Sequence, residues 1–283
     1  MMDLLALTKP RVVLMVLVTT SAGFYLGSGG ALDGFRLLQT LLGTALAAGG
    51  TIALNQYLER DLDAQMERTR RRPLPDGRLE PTRALAFGVM ITGGGLLHLM
   101  LLVNPLGALL AALTVASYLF AYTPLKRRSP LSTVVGAVPG GLPPMIGWVA
   151  ARGTLGPEAW ILFAILFLWQ IPHALAIGVL YRDDYGRAGF RFLPVLYPDG
   201  TKTGLPVVSH CLALLIVSLL PALTGLAGSV YFFGALTLGL AFLGAGAWVA
   251  IAGSASAARH LLLASLVYLP TVLALMALDK IPS

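Results

Sequence analysis

Nine apolar runs, each long enough to cross a lipid bilayer, constrain this chain more than any other feature of its sequence. A helix needs about 20 apolar residues to cross a hydrocarbon core of roughly 30 Å. Lipid leaves backbone polar groups no water to bind, and continuous runs favour helices over a barrel built from alternating residues. The runs are residues 12–29, 37–55, 84–103, 105–122, 132–151, 159–179, 206–226, 229–251 and 258–277. We therefore predict an all-α, polytopic membrane protein with a single domain over residues 1–283.

The distribution of charge predicts how the chain sits in the membrane. Only 12% of the residues are charged and 57% are hydrophobic, whereas about a quarter of a soluble chain is charged. Nine spans put the termini on opposite sides. A cytoplasmic N-terminus leaves all but three of the 20 lysines and arginines on the cytoplasmic side, the exceptions being Arg36, Arg152 and Lys280.

This asymmetry satisfies the positive-inside rule. We therefore expect a bacterial-type cytoplasmic (inner) membrane protein with its N-terminus in the cytoplasm and membrane lipid as a partner. The basic residues are dispersed among short loops, which argues against nucleic acid as a partner.

The N-terminal segment and Cys211 narrow the possibilities further. The start of the chain lacks the basic region, short apolar core and small-residue cleavage site of a signal peptide, so we expect the first span to be retained. Cys211 is the single cysteine, which excludes an internal disulfide and a metal cage built from cysteines.

Two long cytoplasmic loops, residues 56–83 and 180–205, hold most of the acidic side chains. Three side chains at the start of the first loop follow the spacing i, i+4 and i+8: Asn55, Glu59 and Asp63. This spacing places them on one face of a helix that continues beyond the membrane, whereas Asp61 lies on another face. Mg²⁺ prefers such oxygen ligands, keeps several waters and is usually completed by substrate phosphates.

An arginine cluster follows these acids and consists of Arg68, Arg70, Arg71 and Arg72. Guanidinium groups bind phosphate in a bidentate manner. Acids that hold a metal beside arginines that hold phosphate indicate metal-bridged diphosphate chemistry. The alternative is a solvated helix end beside ordinary positive-inside arginines.

The second loop carries an acidic pair, Asp183 and Asp184, directly after the sixth span. Acidic segments on two separate helices suit opposite sides of one metal–diphosphate centre. The pattern therefore predicts that Asp63 and Asp184 lie close together at the cytoplasmic face.

The sixth span itself contains His173 and Gln170 on either side of Pro172. Ionisable groups at membrane depth are costly and usually face a cavity or a partner, so we predict a functional role for His173. A satisfied core histidine is the alternative.

A third basic group, Lys126, Arg127 and Arg128, directly follows the fourth span. The glycines and prolines of residues 136–144 permit a kink or close backbone approach, and tight helix packing explains the glycines equally well.

Taken together, these stretches resemble the UbiA superfamily of intramembrane prenyltransferases, and the resemblance covers nearly the whole chain. The first motif of the superfamily, N-x-x-x-D-x-x-x-D, reads Asn55, Glu59 and Asp63 here. Glutamate replaces the first aspartate, which leaves Asp61 open as an alternative to Glu59. The second motif, D-x-x-x-D, is replaced by a string in which Tyr181 and Tyr185 bracket the two aspartates.

Four composite motifs resemble the heme-modifying branch of this superfamily. They are R-D-D-Y-x-R-A-G, W-Q-x-P-H, Y-T-x-L-K-R and T-V-V-G-A-V-P-G-G-L-P-P-M-I-G-W. Many sequences of this branch have phenylalanine directly after the P-H pair. Ala174 stands there in this chain, which changes the expected wall of a heme pocket.

The resemblance implies a bundle of nine helices around a central cavity, with the loops at 56–83 and 180–205 capping the active site. It implies transfer of a farnesyl group from farnesyl diphosphate to a vinyl group of heme B, with water added, giving heme O and diphosphate. Mg²⁺ is the expected cofactor and heme B is a substrate. Heme A synthase and terminal oxidase assembly proteins are candidate partners.

The site residues fall into three groups. The expected catalytic and metal-binding residues are Asn55, Glu59, Asp63, Asp183 and Asp184. The expected diphosphate contacts are Arg68, Arg72, Lys126 and Arg127. His173 is the expected contact for the heme substrate, with ligation of iron and a structural role beside Pro172 both open.

Two other functions compete with this interpretation. A UbiA-type enzyme that prenylates an aromatic acid or a quinone precursor would carry similar acids. A transporter or a non-catalytic assembly factor for a terminal oxidase belongs to a different class. Transporters tend to have broken helices at the membrane midplane, whereas the acids of this chain lie at one face.

Overall fold

Helices account for all the regular structure of residues 2–281, the part of the chain that the computed structural model describes, apart from one isolated bridge between Ala227 and Lys280. In chain order they are α1 (Met2–Leu7), α2 (Pro10–Gly27), α3 (Gly34–Leu58), α4 (Arg60–Asp63), α5 (Pro81–Leu102), α6 (Pro105–Ala116), α7 (Thr123–Leu125), α8 (Ser132–Arg152), α9 (Pro157–Leu180), α10 (Arg182–Arg187), α11 (Leu193–Leu196), α12 (Gly204–Leu223), α13 (Ser229–Ala252) and α14 (Ala255–Leu278). A π-helical segment, Ser117–Tyr122, joins α6 to α7.

Nine helical spans in this described range are long and apolar enough to cross a membrane, and they confirm the nine predicted spans. No end differs from its predicted position by more than three residues. The fourth span is continuous from Pro105 to Leu125 because the π-helical segment carries it into α7. Hydropathy did not predict the short helices α1, α4, α7, α10 and α11.

Successive spans cross the bundle in opposite directions, which decides where the polar residues collect. The ends of α3, α7 and α9 lie at one end of the bundle, together with the starts of α2 and α14. We call this the polar end. At the opposite end, the Lys280 ammonium donates to the carbonyl of Tyr25 at 2.7 Å. The last spanning helix is thereby tied to the first.

Helix α8 lies deepest in the bundle, since 72% of its membrane-spanning stretch is buried. Its small residues permit this position, because a side chain at Gly147 would overlap the backbone carbonyl of Thr20 on α2. Gly23 on α2 meets the backbone of Pro144 in the same way. Tight packing, one of the two explanations that the sequence left open for this segment, therefore accounts for the contact between α2 and α8.

Replacing Gly147 by alanine tests this packing. We expect Gly147→Ala to lower the free energy of unfolding by about 1–3 kcal/mol, because the added methyl group meets backbone atoms that cannot rotate away. The apparent Tm of the detergent-solubilised protein measures the loss. Gly94→Ala is the matched control, since a methyl group there has no neighbour within 4 Å and alanine favours a helix. Equal melting of both variants would contradict the packing argument.

Candidate active site

The end of α3 provides the first part of the polar site. Asn55 Nδ2 donates to Glu59 Oε2 at 3.1 Å and to Thr123 Oγ1 at 3.0 Å. Both Asn55 and Glu59 are buried. Their contact agrees with the one-turn spacing seen in the sequence.

The sequence spacing predicts that this helix continues unbroken beyond the membrane, but the structure shows a break. It ends at Leu58, and Glu59 leaves helical geometry at φ −101° and ψ 9°. Helical hydrogen bonding nevertheless continues across this break, because the Asp63 amide donates to the Glu59 carbonyl at 2.8 Å. Asp63 therefore still lies one helical turn after Glu59, although it belongs to the separate helix α4.

An ion pair joins this segment to the fourth span. Lys126 Nζ lies 2.9 Å from both carboxylate oxygens of Glu59, and both side chains are only 9% exposed. The π-helical segment shapes the approach, since Thr123 Oγ1 donates to the Tyr118 carbonyl five residues earlier at 2.8 Å. Such segments are frequent at functional sites. The Lys126 ammonium also lies 4.5 Å from the centre of the Tyr122 ring, in cation–π contact.

The arginine loop after α4 folds back onto Asp63. Arg72 Nη1 donates to Asp63 Oδ2 at 2.6 Å, and the Asp63 side chain is 3% exposed. Thr69 Oγ1 donates to the Asp63 carbonyl at 2.7 Å. One arginine of the predicted cluster is thus held against one of the predicted carboxylates.

Asp184 fastens the second acidic segment to this same loop. Its two carboxylate oxygens accept hydrogen bonds from the backbone amides of Glu67 at 3.2 Å and Arg68 at 3.4 Å. Arg187 supplies a further ion pair. The two acidic segments therefore meet at the polar end, whereas the predicted closeness of the Asp63 and Asp184 carboxylates stays a prediction.

The loop that follows Asp184 also contacts the end of the fourth span at Lys126. The Arg191 amide donates to the Lys126 carbonyl at 2.7 Å. Phe190 is buried and lies 5.7 Å from the Lys126 ammonium. Three segments that are distant in sequence, 55–72, 122–126 and 184–191, thus form one polar site.

Several predicted site residues lie at the edge of this site. The Asp183 side chain is 87% exposed and faces Arg182 at 3.7 Å, so its predicted role as a metal ligand stays a prediction. Arg127 is exposed. Arg68 is exposed too, and its guanidinium carbon lies 5.4 Å and 5.8 Å from the ring centres of Tyr181 and Tyr185. The two tyrosines that bracket the aspartates therefore hold Arg68.

The charge of Lys9 interacts with those of Arg72 and Asp63 in this site, although the sequence analysis counted Lys9 only as a positive-inside residue. Burial, followed by the nearby charge of Arg72, lowers the pKa of Lys9 to about 8, while Asp63 acts in the opposite direction. Lys9 adopts a left-handed backbone conformation with φ 46° between α1 and α2. Gln56 anchors α1 by donating to the Leu7 carbonyl at 2.5 Å. No sequence pattern signals such a turn at a lysine.

The donor atoms fit a hard divalent cation. The amide and carboxylate oxygens of Asn55, Glu59, Asp63 and Asp184 are of the kind that Mg²⁺ prefers. Within residues 2–281, however, no three His, Cys, Asp or Glu side chains form a ready metal group. A metal ion here would need oxygens from a ligand and from water to complete its shell.

His173 lies away from this cluster, within α9. Seven residues separate it from the end of the helix at Leu180, a distance of about 10 Å along the axis. It is half-buried and contacts Ser265 of α14 at 2.7 Å. Gln170, one turn earlier, donates to the Gly136 carbonyl at 3.3 Å instead.

Comparison with known proteins gives a consistent answer across the chain. The model of the UbiA prenyltransferase family matches residues 16–267. A protein of Solibacter usitatus named protoheme IX farnesyltransferase is 49% identical, with 99% of each chain covered. A protein with the same name from Salinibacter ruber is 45% identical, with 98% of each chain covered. Another from Myxococcus xanthus is 43% identical, with 99% of this chain and 95% of its own covered.

Solved structures share the fold at much lower sequence identity. A digeranylgeranylglyceryl phosphate synthase structure superposes with a TM-score of 0.83 at 17% identity, covering 98% of this chain and 97% of its own. A UbiA homologue from Aeropyrum pernix gives 0.73 at 18% identity, covering 93% and 98%. A UbiA homologue from Archaeoglobus fulgidus, bound to GPP and Mg²⁺, gives 0.67 at 15% identity, covering 97% and 99%.

Replacing Asp184 by asparagine tests the bond between the two acidic segments. The asparagine amide is uncharged, so it cannot give the two backbone N–H groups the charged acceptor that the carboxylate gives them. Hydrogen bonds to charged groups contribute roughly 1.5–3 kcal/mol. We expect Asp184→Asn to speed amide hydrogen exchange in residues 64–72 by about tenfold or more, as measured by mass spectrometry. Asp183→Asn makes the same chemical change on an exposed neighbour and should leave that exchange unaltered. Equal protection in the two variants would show that Asp184 does not hold the loop.

Proposed function

Since this chain belongs to the UbiA prenyltransferase family, we propose that it transfers a farnesyl group from farnesyl diphosphate to a vinyl group of heme B. Water is added in the reaction, and heme O and diphosphate are the products. Relatives that are 43–49% identical over nearly their full length carry the name protoheme IX farnesyltransferase, which favours heme B as the acceptor.

The observation that carries this proposal is the buried pairing of acids and cations at the polar end. Glu59 pairs with Lys126 and Asp63 pairs with Arg72, each at 2.9 Å or less. Burying charges costs several kcal/mol per ion unless partners compensate. A chain that needed only a stable membrane fold would gain nothing from two buried ion pairs at the mouth of an apolar bundle.

Binding of a diphosphate would redistribute these pairs. In this proposal Arg72 and Lys126 turn from their carboxylates to phosphate oxygens, and Arg68, Arg127 and Lys9 are the further cations that bind the diphosphate. Mg²⁺, when bound, would neutralise the leaving diphosphate and hold it against the released carboxylates. Asn55, Glu59, Asp63, Asp183 and Asp184 are the residues that we propose for this binding.

The residues of this chain then assist cleavage of the allylic C–O bond by stabilising charge on the departing diphosphate. Cations fixed in a site that excludes water are effective for this purpose, because they need not reorganise as the charge develops. The farnesyl chain is hydrocarbon and would lie among the membrane spans. The electron-rich vinyl carbon attacks the farnesyl carbon that has lost its bond to diphosphate, which leaves a cation on the former vinyl group. Water adds to that cation and gives up a proton to the released diphosphate.

The orientation in the membrane follows from the basic residues. We place the polar end and the N-terminus on the cytoplasmic side of the inner membrane, with the loops at 56–83 and 180–205 covering the site as parts of one domain. Heme A synthase and terminal oxidase assembly proteins are the partners that such a product implies.

Product analysis tests the proposed reaction. Purified protein in lipid nanodiscs is incubated with farnesyl diphosphate, Mg²⁺ and heme B, and the extracted heme is examined by mass spectrometry. We expect heme to gain one farnesyl group plus one water, and chelation of Mg²⁺ to stop the gain. Parallel reactions offer hydroxybenzoate and naphthoate. Prenylation of a phenolic acceptor alone would replace our substrate by the aromatic alternative, and no transfer to any acceptor would favour a non-enzymatic role.

A second prediction concerns which acid occupies the middle of the first motif. Glu59 is buried in the site, whereas the Asp61 side chain is 83% exposed and faces Arg60. We expect Glu59→Gln to lower kcat/KM for heme O formation roughly 100-fold, the scale of losing one fixed charge in an active site. Asp61→Asn should stay within about twofold of the unmodified protein. The reverse order of effects would assign the motif position to Asp61.

A further inference from the structure

His173 is held in one orientation by two neighbours on different helices. Its ring stacks on Trp169, one turn earlier in α9, with ring centres 4.8 Å apart and planes 24° apart. Its Nδ1 lies 2.7 Å from the hydroxyl oxygen of Ser265 on α14. Trp169 also donates its indole N–H to the Ser265 carbonyl at 2.9 Å. Ser265 therefore fixes both rings.

The single proton of the Ser265 hydroxyl decides which nitrogen of His173 carries hydrogen. Ser265 Oγ donates to the Leu262 carbonyl at 2.6 Å, and a carbonyl oxygen can only accept. The serine oxygen has no second proton to give, so it accepts from His173 Nδ1–H. In a neutral imidazole the other nitrogen, Nε2, then carries a free lone pair.

That lone pair has no hydrogen-bond partner within residues 2–281, although the ring is half-buried at membrane depth. A charged imidazolium at that depth would be costly, so the neutral form with an available nitrogen is favoured. An unused nitrogen lone pair on a fixed ring suits coordination of a transition metal.

The depth of His173 suits the binding of a heme acceptor, because that acceptor must meet a farnesyl group whose diphosphate is held at the polar end. His173 lies about 10 Å from the end of α9, and Ser265 about 15 Å from the start of α14. A prenyl chain whose diphosphate is bound by Lys126 and Arg72 would enter the bundle from the polar end, the end from which His173 is set back by this distance. A metalloporphyrin held at His173 would then lie deeper in the bundle than the diphosphate.

We propose that Ser265 is a positioning residue that holds His173 as the Nδ1–H tautomer and thereby presents Nε2 to the iron of the heme substrate. This inference rests on the proposed function, because it takes a metalloporphyrin as the acceptor. Within residues 2–281, the hydrogen bonds of Ser265 join it to the imidazole, to the indole and to the backbone of its own helix. Partners that orient a ligating histidine typically contribute 10- to 100-fold to metal affinity.

Porphyrin binding with and without iron tests the proposal. Ferric protoporphyrin IX is titrated into full-length protein in nanodiscs, and the Soret band and electron paramagnetic resonance spectrum report axial ligation. We expect His173→Ala to abolish the histidine-ligated spectrum. Ser265→Ala should weaken ferric porphyrin binding about tenfold or more and change the ligation spectrum, while Ser265→Thr, which keeps the hydroxyl, should restore part of the loss.

Iron-free protoporphyrin IX provides the matched control. It has the same shape but no metal for Nε2, so we expect all three variants to bind it as tightly as the unmodified protein, which also shows that they are folded. Equal loss of both porphyrins in Ser265→Ala would mean that Ser265 only maintains the pocket, and this would overturn the proposal. Unchanged ferric spectra in His173→Ala would overturn it as well.

These outcomes remain distinct from failure of the proposed function. Heme O formation with unchanged ferric spectra in every variant would refute iron ligation while leaving the reaction intact. If the unmodified protein bound neither porphyrin and formed no heme O, both the proposed reaction and the ligation of iron by His173 would be refuted.

Discussion

The buried pairing of carboxylates with cations is the constraint on which the polar end of this protein depends. A carboxylate at the depth of Glu59 is stable only with a partner, because transfer of an unpaired charge from water costs several kcal/mol. Lys126 meets that requirement from the fourth span and Arg72 meets it for Asp63 from the loop beyond α4. Each pair thus fixes two segments relative to one another, and the position of the loops follows from charge compensation.

The same pairs explain how a rigid site remains open to a ligand. Replacing a buried ion pair by well-packed apolar residues is often neutral or stabilising, so the pairs add little to the stability of the bundle. In the function that we propose, their value lies in exchange. A diphosphate would offer the cations of Lys126 and Arg72 a partner of higher charge, and the carboxylates that they release would become available to a metal ion. The packing of α8 against α2 lies apart from this exchange, so the fold need not move when the partners change.

Hydropathy and spacing predicted the parts of this structure that depend on local sequence. Nine spans and the contact between Asn55 and Glu59 follow from apolar run length and from the helical repeat. Asp183 and Asp184 are equivalent in sequence but not in space: one is 87% exposed and the other accepts two backbone amides. Adjacent residues on a helix point about 100° apart, and only the position of loop 64–72 decides which of them turns inward.

The features that sequence could not predict arise from contacts between distant segments. Lys9 enters the site through a left-handed turn, which its sequence neighbours do not require. The π-helical segment before Thr123 has no compositional signal, yet it directs Thr123 and Lys126 towards α3. His173 could be selected from its depth in the membrane, but its tautomer depends on Ser265, which lies 92 residues away in the chain.

The glutamate at position 59 is a departure from the general family motif that the geometry explains. Its carboxylate lies between Asn55 Nδ2 at 3.1 Å and Lys126 Nζ at 2.9 Å. Aspartate is shorter by one carbon–carbon bond of about 1.5 Å, so from the same backbone position its oxygens would fall short of the lysine. The backbone departs from helical geometry at this residue, and the longer side chain restores the reach. In this chain the substitution keeps the carboxylate within reach of both partners, which supports our proposal that Glu59, and not Asp61, takes this position of the motif.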